Sequence, residues 1–398
     1  MKINRRVLLD AVSIASRVID RRAKQGLYRH VRICSDGGDV TVQGFSPTGQ
    51  VTVTLPRGDD VQVDSDYAEH FIDAASLSAF LSSANGPSVK LSSRSPTRIN
   101  VRCGNAKTRF ALLDGAIAPQ PLITTDPRVK VSMVGSDFAD LVRVCAPTIG
   151  KQYGMTGAHL DQTPTGIRMV TTDDGRQVRK MDRPAIVLGD SGPITLRTLM
   201  PPDVMANIAA IVDAEEIKLD FFTSMGRLVA GTILYEFSLI DGEFPDYQQA
   251  LNGMGGVDTD ITLSVSALDS ALSIAEIATQ GEKKQAVDFQ LTVDDGNVFI
   301  DLISAGGGAG GMTDSSARID CQTTATPETF TPYRVQIPMI RSGIKTLSLK
   351  GADEITIRRM DGRVGAIILN PDDTPESDLS PFILISPMLT DRRDGASS

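Results

Sequence analysis

Residues 7–19, VLLDAVSIASRVI, set Leu8, Ala11, Val12, Ala15, Val18 and Ile19 three and four positions apart, the spacing that gathers side chains on one face of an α-helix. The period then changes. VTVQGFSPTGQVTVTLP, residues 40–56, alternates apolar and polar positions as a half-buried strand does. This order of helix and then sheet returns along the chain. DAASLSAFLSS (73–83) groups Leu77, Phe80 and Leu81, stops at Asn85-Gly86-Pro87 and leads into SVKLSS. GSDFADLVRVC (135–145) groups Phe138, Leu141, Val142 and Cys145 behind a Ser/Asp cap, with IRMVTT as a later strand. MPPDVMANIAAIVD (200–213) has prolines suited to a first helical turn and aligns Val204, Ile208 and Ile211 before IKLDFF. SALDSALSIAEIA (266–278) aligns Leu268, Ala271, Leu272 and Ala275 before VDFQLTV and VFIDLI. PMIRSGIKTL (338–347) is a shorter helix weakened by glycine, ahead of ITIRRM and AIILN.

Each third of the chain therefore holds two helix-then-sheet units. The polar link Thr125-Asp126-Pro127 and the glycine-rich NGMGGVD at 252–258 set the expected domains at 1–127, 128–257 and 258–398. The pattern implies an α+β fold with antiparallel sheets. Three unrelated α+β domains would give the same punctuation, and periodicity alone names no function.

Composition removes several classes of function. With 41% apolar and 22% charged residues the chain can build real cores. Apolar runs fall short of the ~18–20 residues a membrane helix needs, and MKINRRVLLDAV moves straight into helix-patterned sequence, so a cytoplasmic protein without a membrane partner is expected. Cys34, Cys103, Cys145 and Cys321 are too dispersed for a zinc pair or a disulfide scaffold and read as buried thiols. Forty basic against forty-nine acidic residues give a charge of −9, which excludes an indiscriminate nucleic-acid coat. Any DNA contact must come from a local basic surface. His30, His70 and His159 stand far apart, HExxH is missing, and no nucleophile is paired with a base, so no catalytic residue, metal or cofactor is expected. Tryptophan is absent and aromatics make up 5%, which disfavours base-stacking platforms. Gly306, Gly308 and Gly311 satisfy GxGxxG, but MTDSSARIDCQTT opens no helix after them, so a flexible hairpin loop is expected. The acid pairs Asp173-Asp174, Asp294-Asp295 and Asp372-Asp373 read as turns.

LIDGEFPDYQQAL, residues 239–251, runs from a strand end into a turn with Phe, Pro, Asp and Tyr in fixed order. It resembles the segment that closes the middle domain of bacterial DNA sliding clamps, the beta subunit of the replicative DNA polymerase III. VTTDDGR (170–176) is similar to that family's T-D-G-x-R stretch, with Thr172, Asp173 and Arg176 matching and Asp174 and Gly175 departing. KTRFALL (107–113) is similar to a strand closing the first domain, and ILISPM (383–388) to the closing strand and Pro-Met.

The resemblance implies three tandem clamp domains, helices inside and sheets outside, in a head-to-tail dimeric ring. Helices are ~10 Å wide, so six side by side leave an opening of only ~9 Å, whereas twelve leave ~28 Å, enough for a ~20 Å duplex. A homodimer is the smallest ring that works. Arg109, Phe110 and Leu112 of one copy would meet Ile277 and Ala278 of the other. Sequence-independent phosphate contacts in the channel would come from Arg21, Arg22, Lys24, Lys151, Arg197, Lys283, Lys284, Arg341 and Lys345, with Tyr153 at the rim. Arg5, Arg6, Arg17 and Arg143 are further candidates, and an acidic exterior would discourage side-on binding. A groove for partner peptides would comprise Met155, Thr172, Asp174, Gly175, Arg176, Gln177, Pro245, Gln249, Ala250, Leu384, Ser386, Pro387 and Met388. Gln177 and Ser386 stand where the family prefers apolar side chains, and Gln249 where it often has arginine, so partner peptides differ in sequence or bind more weakly. The implied function is a non-enzymatic processivity factor, placed on duplex DNA by an ATP-driven clamp loader and tethering a DNA polymerase. The alternatives are a specialised or mobile-element clamp with altered partners, or an α+β enzyme of other chemistry. The tail LTDRRDGASS continues past the point where related clamps nearly stop.

Overall fold

The computed structural model describes every residue except 21, 64–66, 114–118, 120–122, 124, 153, 190–197, 213–214, 254, 306–313, 350, 361–366, 372–380 and 389–398. The side chains of 94, 250, 370 and 371 are likewise outside the description. The glycine loop after strand Asn297–Ala305, the pair Asp372-Asp373 and the tail all lie outside it.

Seven α-helices occur among the described residues: α1 (Arg5–Ala15), α2 (Ala74–Ser83), α3 (Gly135–Cys145), α4 (Pro202–Ile211), α5 (Tyr247–Asn252), α6 (Val265–Ala278) and α7 (Ile337–Ser348). Six coincide with the periodic stretches. Their starts follow from local chemistry: the side chains of Asn4, Asp73 and Asp246 accept the backbone N–H of Arg6, Ser76 and Gln249, supplying partners that a first helical turn lacks. α5 is the addition. The sequence pattern reads its residues as a turn, and they form a short helix behind the Asp246 cap.

The chain forms two compact units. The first comprises Met1–Ala139, Pro184–Leu196 and Asp203–Asp241 and contains a five-stranded and a nine-stranded antiparallel sheet. The nine-stranded sheet is continuous between distant parts of the sequence, because Ile233–Ser238 pairs with Gly49–Leu55 in register Tyr235↔Val51. Buried Leu8, Ala11, Val12 and Ala15 of α1, with Leu77 and Leu81 of α2, face this unit's interior, each large side chain contributing about 1.5–3 kcal/mol by burial. Gly44 is required where α1 ends: a Cβ there would lie 1.9 Å from the Ala15 carbonyl oxygen.

The second unit comprises Asp140–Arg183, Arg197–Pro202 and Gly242–Ser398, with an eight-stranded and a four-stranded sheet. Here Gln177–Pro184 pairs with Phe382–Ile385, again joining remote segments. Its main core gathers Leu268, Leu272, Phe289, Leu302, Val335, Ile340, Leu347, Ile357 and Ile383 beneath α6 and α7. These pairings place the turn after Thr172 beside the chain's last described strand. No helix among the described residues is long and apolar enough to cross a membrane.

Candidate functional site

All residues of the expected groove belong to the second unit, where four stretches of chain converge. The hub is the turn from Thr172 to Gln177. Thr172 Oγ1 donates to the Gln177 carbonyl (2.8 Å) and accepts from Gly175 N–H (3.2 Å), while the Asp173 carboxylate accepts from Gln177 N–H (2.5 Å). Asp174 (φ 53°) and Gly175 (φ 83°) take the left-handed backbone this reversal needs. Burial raises the Asp173 carboxyl above its ordinary range, and the Gln177 amide and Arg176 oppose that rise.

Asp174 Oδ1 accepts from the backbone N–H groups of Lys151 and Gln152 (3.2 Å each), which fastens loop 150–155 to the turn. The same loop meets a third stretch at Gly154, whose φ is 81° and whose Cβ, if present, would lie 2.6 Å from the Glu243 carbonyl oxygen. The fourth stretch is the closing strand. Val178 pairs with Leu384, and Ser386 N–H donates to the Arg176 carbonyl (2.8 Å). Met388 N–H donates to the Arg334 carbonyl (2.8 Å), holding the end of the strand.

Under this frame lies an apolar cluster of Val170, Val178, Tyr247, Met360, Ile368 and Leu384, with Phe244, Leu251 and Phe382 half-covered against it. His159 stacks on Phe244 (5.2 Å, 10° between planes), and Tyr247 Oη donates to Asp161 Oδ2 (3.2 Å). Burial raises the Tyr247 phenol, so it stays a hydrogen-bond donor. Met155, Ser386, Pro387 and Met388 are half-buried, Gly175, Arg176, Pro245 and Gln249 are exposed, and Ala250 follows Gln249 on α5 with its side chain outside the description. An apolar floor with a polar rim and open backbone suits a short extended segment bearing apolar side chains.

Gln177 is placed otherwise than the floor. Successive strand residues face opposite ways, so with Val178 on the floor Gln177 and Arg179 point behind the strand. Gln177 is 3% exposed; Thr148 Oγ1 donates to its Oε1 (3.5 Å), and its Nε2 finds no partner among the described residues. Arg179 is fully buried, donating to the Val144 carbonyl (3.1 Å), Thr346 Oγ1 (2.7 Å) and Ser342 Oγ (2.8 Å). Burial lowers its guanidinium to about 10 and pushes the neighbouring Cys145 thiol up to about 12. The sequence reading assigned no part in the floor to Phe244, Tyr247 or Val178. Phe and Tyr three apart in EFPDY were the available signal.

Of the residues expected to meet phosphate, Arg22, Lys24, Lys151, Lys283, Lys284 and Lys345 are exposed. Arg21, Tyr153 and Arg197 lie outside the described residues. Arg341 is already engaged with Glu276 and with Asp269 (3.3 Å) of α6 and braces α7 against it. Arg143 pairs with Asp140 (2.6 Å), and Arg5 donates to the Leu81 and Gly86 carbonyls (2.8 and 3.1 Å). Arg109, Phe110 and Leu112 sit on or beside strand Ala106–Ala111, the open edge of the five-stranded sheet. Phe110 packs edge-on against Phe80 at 6.0 Å, and Leu112 bridges to Ile72. On α6, Ile277 is 60% exposed and Ala278 is buried. Strand Asp314–Asp320 is the corresponding open edge of the four-stranded sheet. Among the described residues no cluster of His, Cys, Asp or Glu could hold a metal ion.

No protein-family profile and no curated protein matches the chain. Solved structures do. The Pseudomonas aeruginosa DNA polymerase III beta subunit sliding clamp bound to griselimycin aligns with a TM-score of 0.83 at 16% identity over 98% of this chain and 99% of its own. The Bacillus subtilis sliding clamp gives 0.81 at 15% identity over 98% of both chains. The DNA polymerase III beta subunit of Thermotoga maritima gives 0.80 at 13% identity over 98% and 99%. The chain has the sliding-clamp fold along nearly its whole length: α+β, a threefold repeat of helix pairs and antiparallel sheets.

Proposed function

We propose that this chain is a DNA polymerase processivity factor: a sliding clamp that closes as a head-to-tail homodimer around duplex DNA and holds a DNA polymerase through the groove of the second unit. The observation that carries the reading is the groove, where four segments converge over an apolar floor, three of them hydrogen-bonded into one frame, within a fold shared end to end with sliding clamps. Domains at 1–127, 128–257 and 258–398 supply two long helices each. Twelve helices from two copies enclose an opening of ~28 Å, and the six of a single copy, which leave ~9 Å, do not admit a duplex. Open edge strands Ala106–Ala111 and Asp314–Asp320 would pair between copies, covering backbone groups that are otherwise a liability. Exposed Ile277 would be buried there with Ala278, beside Phe110, Leu112 and Arg109.

Encirclement needs no tight adhesion, which reconciles a DNA partner with a charge of −9. Arg22, Lys24, Lys151, Lys283, Lys284 and Lys345 would give loose phosphate contact, with Arg21, Arg197 and Tyr153 completing the set. The clamp catalyses nothing itself. It raises the polymerase's effective concentration at the template, and an ATP-driven loader opens it. Light scattering on the eluting protein should give twice the chain mass, and protein loaded on nicked circular DNA should stay bound until the circle is cut. A stable monomer, or equal loss from circles and linear DNA, would overturn the reading.

A second reading has its own observation. Gln177 turns its amide behind the strand where the family prefers an apolar residue, and Gln249 and Ser386 also depart. A specialised clamp with altered partners would bind the host polymerase's clamp-binding peptide more weakly than the host's principal clamp does. Equal affinity for that peptide would remove this alternative.

A further inference from the structure

The five-stranded sheet of the first unit buries Val89, Leu91, Ile99, Val101 and Cys103 on one face. Its other face is open and basic. Cα pairings set Lys2 opposite Lys90, Lys90 opposite Arg102 and Arg102 opposite Lys107, so four cations lie in one row across four adjacent strands. With strands ~4.8 Å apart, the row spans ~14 Å. Arg98 and Arg109 flank it, and the shallow trough along these strands, about 570 Å³, is lined by serine, asparagine and cations with no carboxylate.

Like charges directly opposite one another destabilise a sheet, so this row costs stability that no carboxylate lining the trough repays. Lysine on an edge strand is explained by protection against unwanted pairing. That accounts for Lys107 on the outermost strand, but Lys90 and Arg102 lie on strands flanked on both sides. An anion would supply the missing compensation. The trough offers no apolar or aromatic lining to anchor a peptide or stack a base. It offers cations with hydroxyl and amide donors at Ser92, Ser95 and Asn100, the groups that bind phosphate oxygens. Each strand of a duplex carries one phosphate per ~3.4 Å of helix axis, so a row of ~14 Å covers the axial length of about four.

We propose that this sheet face is a second, sequence-independent binding surface for the sugar–phosphate backbone of duplex DNA, on the side of the sheet opposite α1 and α2. The expectation of an exterior that repels DNA is thereby replaced at this face. The surface exists whether or not the chain encircles DNA, and the test separates the two. A fluorescent, covalently closed duplex minicircle has no end to thread, so in the absence of a loader it reports on outer surfaces only. The full protein should bind it at 50 mM salt, with log affinity falling against log salt at a slope near about −3.6 for four phosphates. Lys90→Gln with Arg102→Gln should lower affinity roughly tenfold or more and bring the slope to about −1.8. Lys90→Arg with Arg102→Lys should bind as wild type, which controls for folding. Failure of the wild type to bind at 50 mM salt, an unchanged slope in the Gln variant, or competition by polyglutamate equal to that by unlabelled duplex at matched charge would each overturn the proposal.

Discussion

Replacing Arg179 by methionine should make the protein more stable. The guanidinium is fully buried with no carboxylate among the atoms it bonds: its three hydrogen bonds go to one carbonyl and two hydroxyls, and Nε has no partner among the described residues. Its fall from 12.5 to about 10 reflects desolvation first, offset in part by Cys145 and Asp173, and corresponds to about 3 kcal/mol of disfavoured charge. Against this stand three hydrogen bonds, each worth about 1 kcal/mol net of water and somewhat more to a charged donor. Methionine keeps most of the volume, so no large cavity opens. Thr346 Oγ1 still donates to the Ser342 carbonyl (3.0 Å), so its proton is not stranded. The desolvation and the hydrogen bonds nearly cancel, and burial of the methionine side chain itself tips the balance toward the variant by about 1 kcal/mol. For a unit of about 200 residues this raises Tm by about 2–4 °C per kcal/mol, read by far-UV circular dichroism. Arg179→Ala should instead destabilise, because it removes the charge and leaves a void. A methionine variant that melts several degrees below wild type would refute the reasoning, and would mean that the bonds joining strand Gln177–Pro184 to α7 outweigh the desolvation.

Other consequences of the structure are open to the same kind of check. Gln177→Leu removes a buried amide nitrogen that lacks a partner and should raise stability by about 1 kcal/mol in urea melts, whereas a loss would show that its contact with Thr148 matters more. Gly154→Ala would force a left-handed residue against the Glu243 carbonyl, so affinity for a clamp-binding peptide should fall about tenfold in calorimetry while far-UV circular dichroism stays native. Ile277→Asp should convert the proposed dimer to monomer by light scattering, since it sets a charge on the exposed apolar face of α6. His70 is lowered, by burial first and then by the N-terminal charge, so its folded pKa lies below its unfolded 6.5. Its stability contribution is therefore complete above pH 6.5 and lost as pH falls through the folded value. His70→Gln should flatten the decline in Tm below pH 6.5, and an unchanged decline would assign the acid sensitivity elsewhere.

What the sequence disclosed depended on the range of the interaction that determines each feature. The periodic stretches at 73–83, 135–145 and 266–278 fall within a residue of α2, α3 and α6, because an amphipathic face and a cap are local properties. α5 escaped because six residues hold too few turns for a period to show, and only the Asp246 cap marked it. The pairings of Gly49–Leu55 with Ile233–Ser238 and of Gln177–Pro184 with Phe382–Ile385 were invisible, since strand alternation fixes which face is buried and not which remote strand completes the sheet. Gln177 shows the difference within a single residue. The resemblance placed it at the groove by position, while alternation from Val178 sends its side chain to the opposite side of the strand. The polar substitution there thus acts first on the interior behind the groove. A Gln177→Leu protein that gains stability without gaining affinity for a clamp-binding peptide would support that separation, and a parallel gain in both would return Gln177 to the pocket.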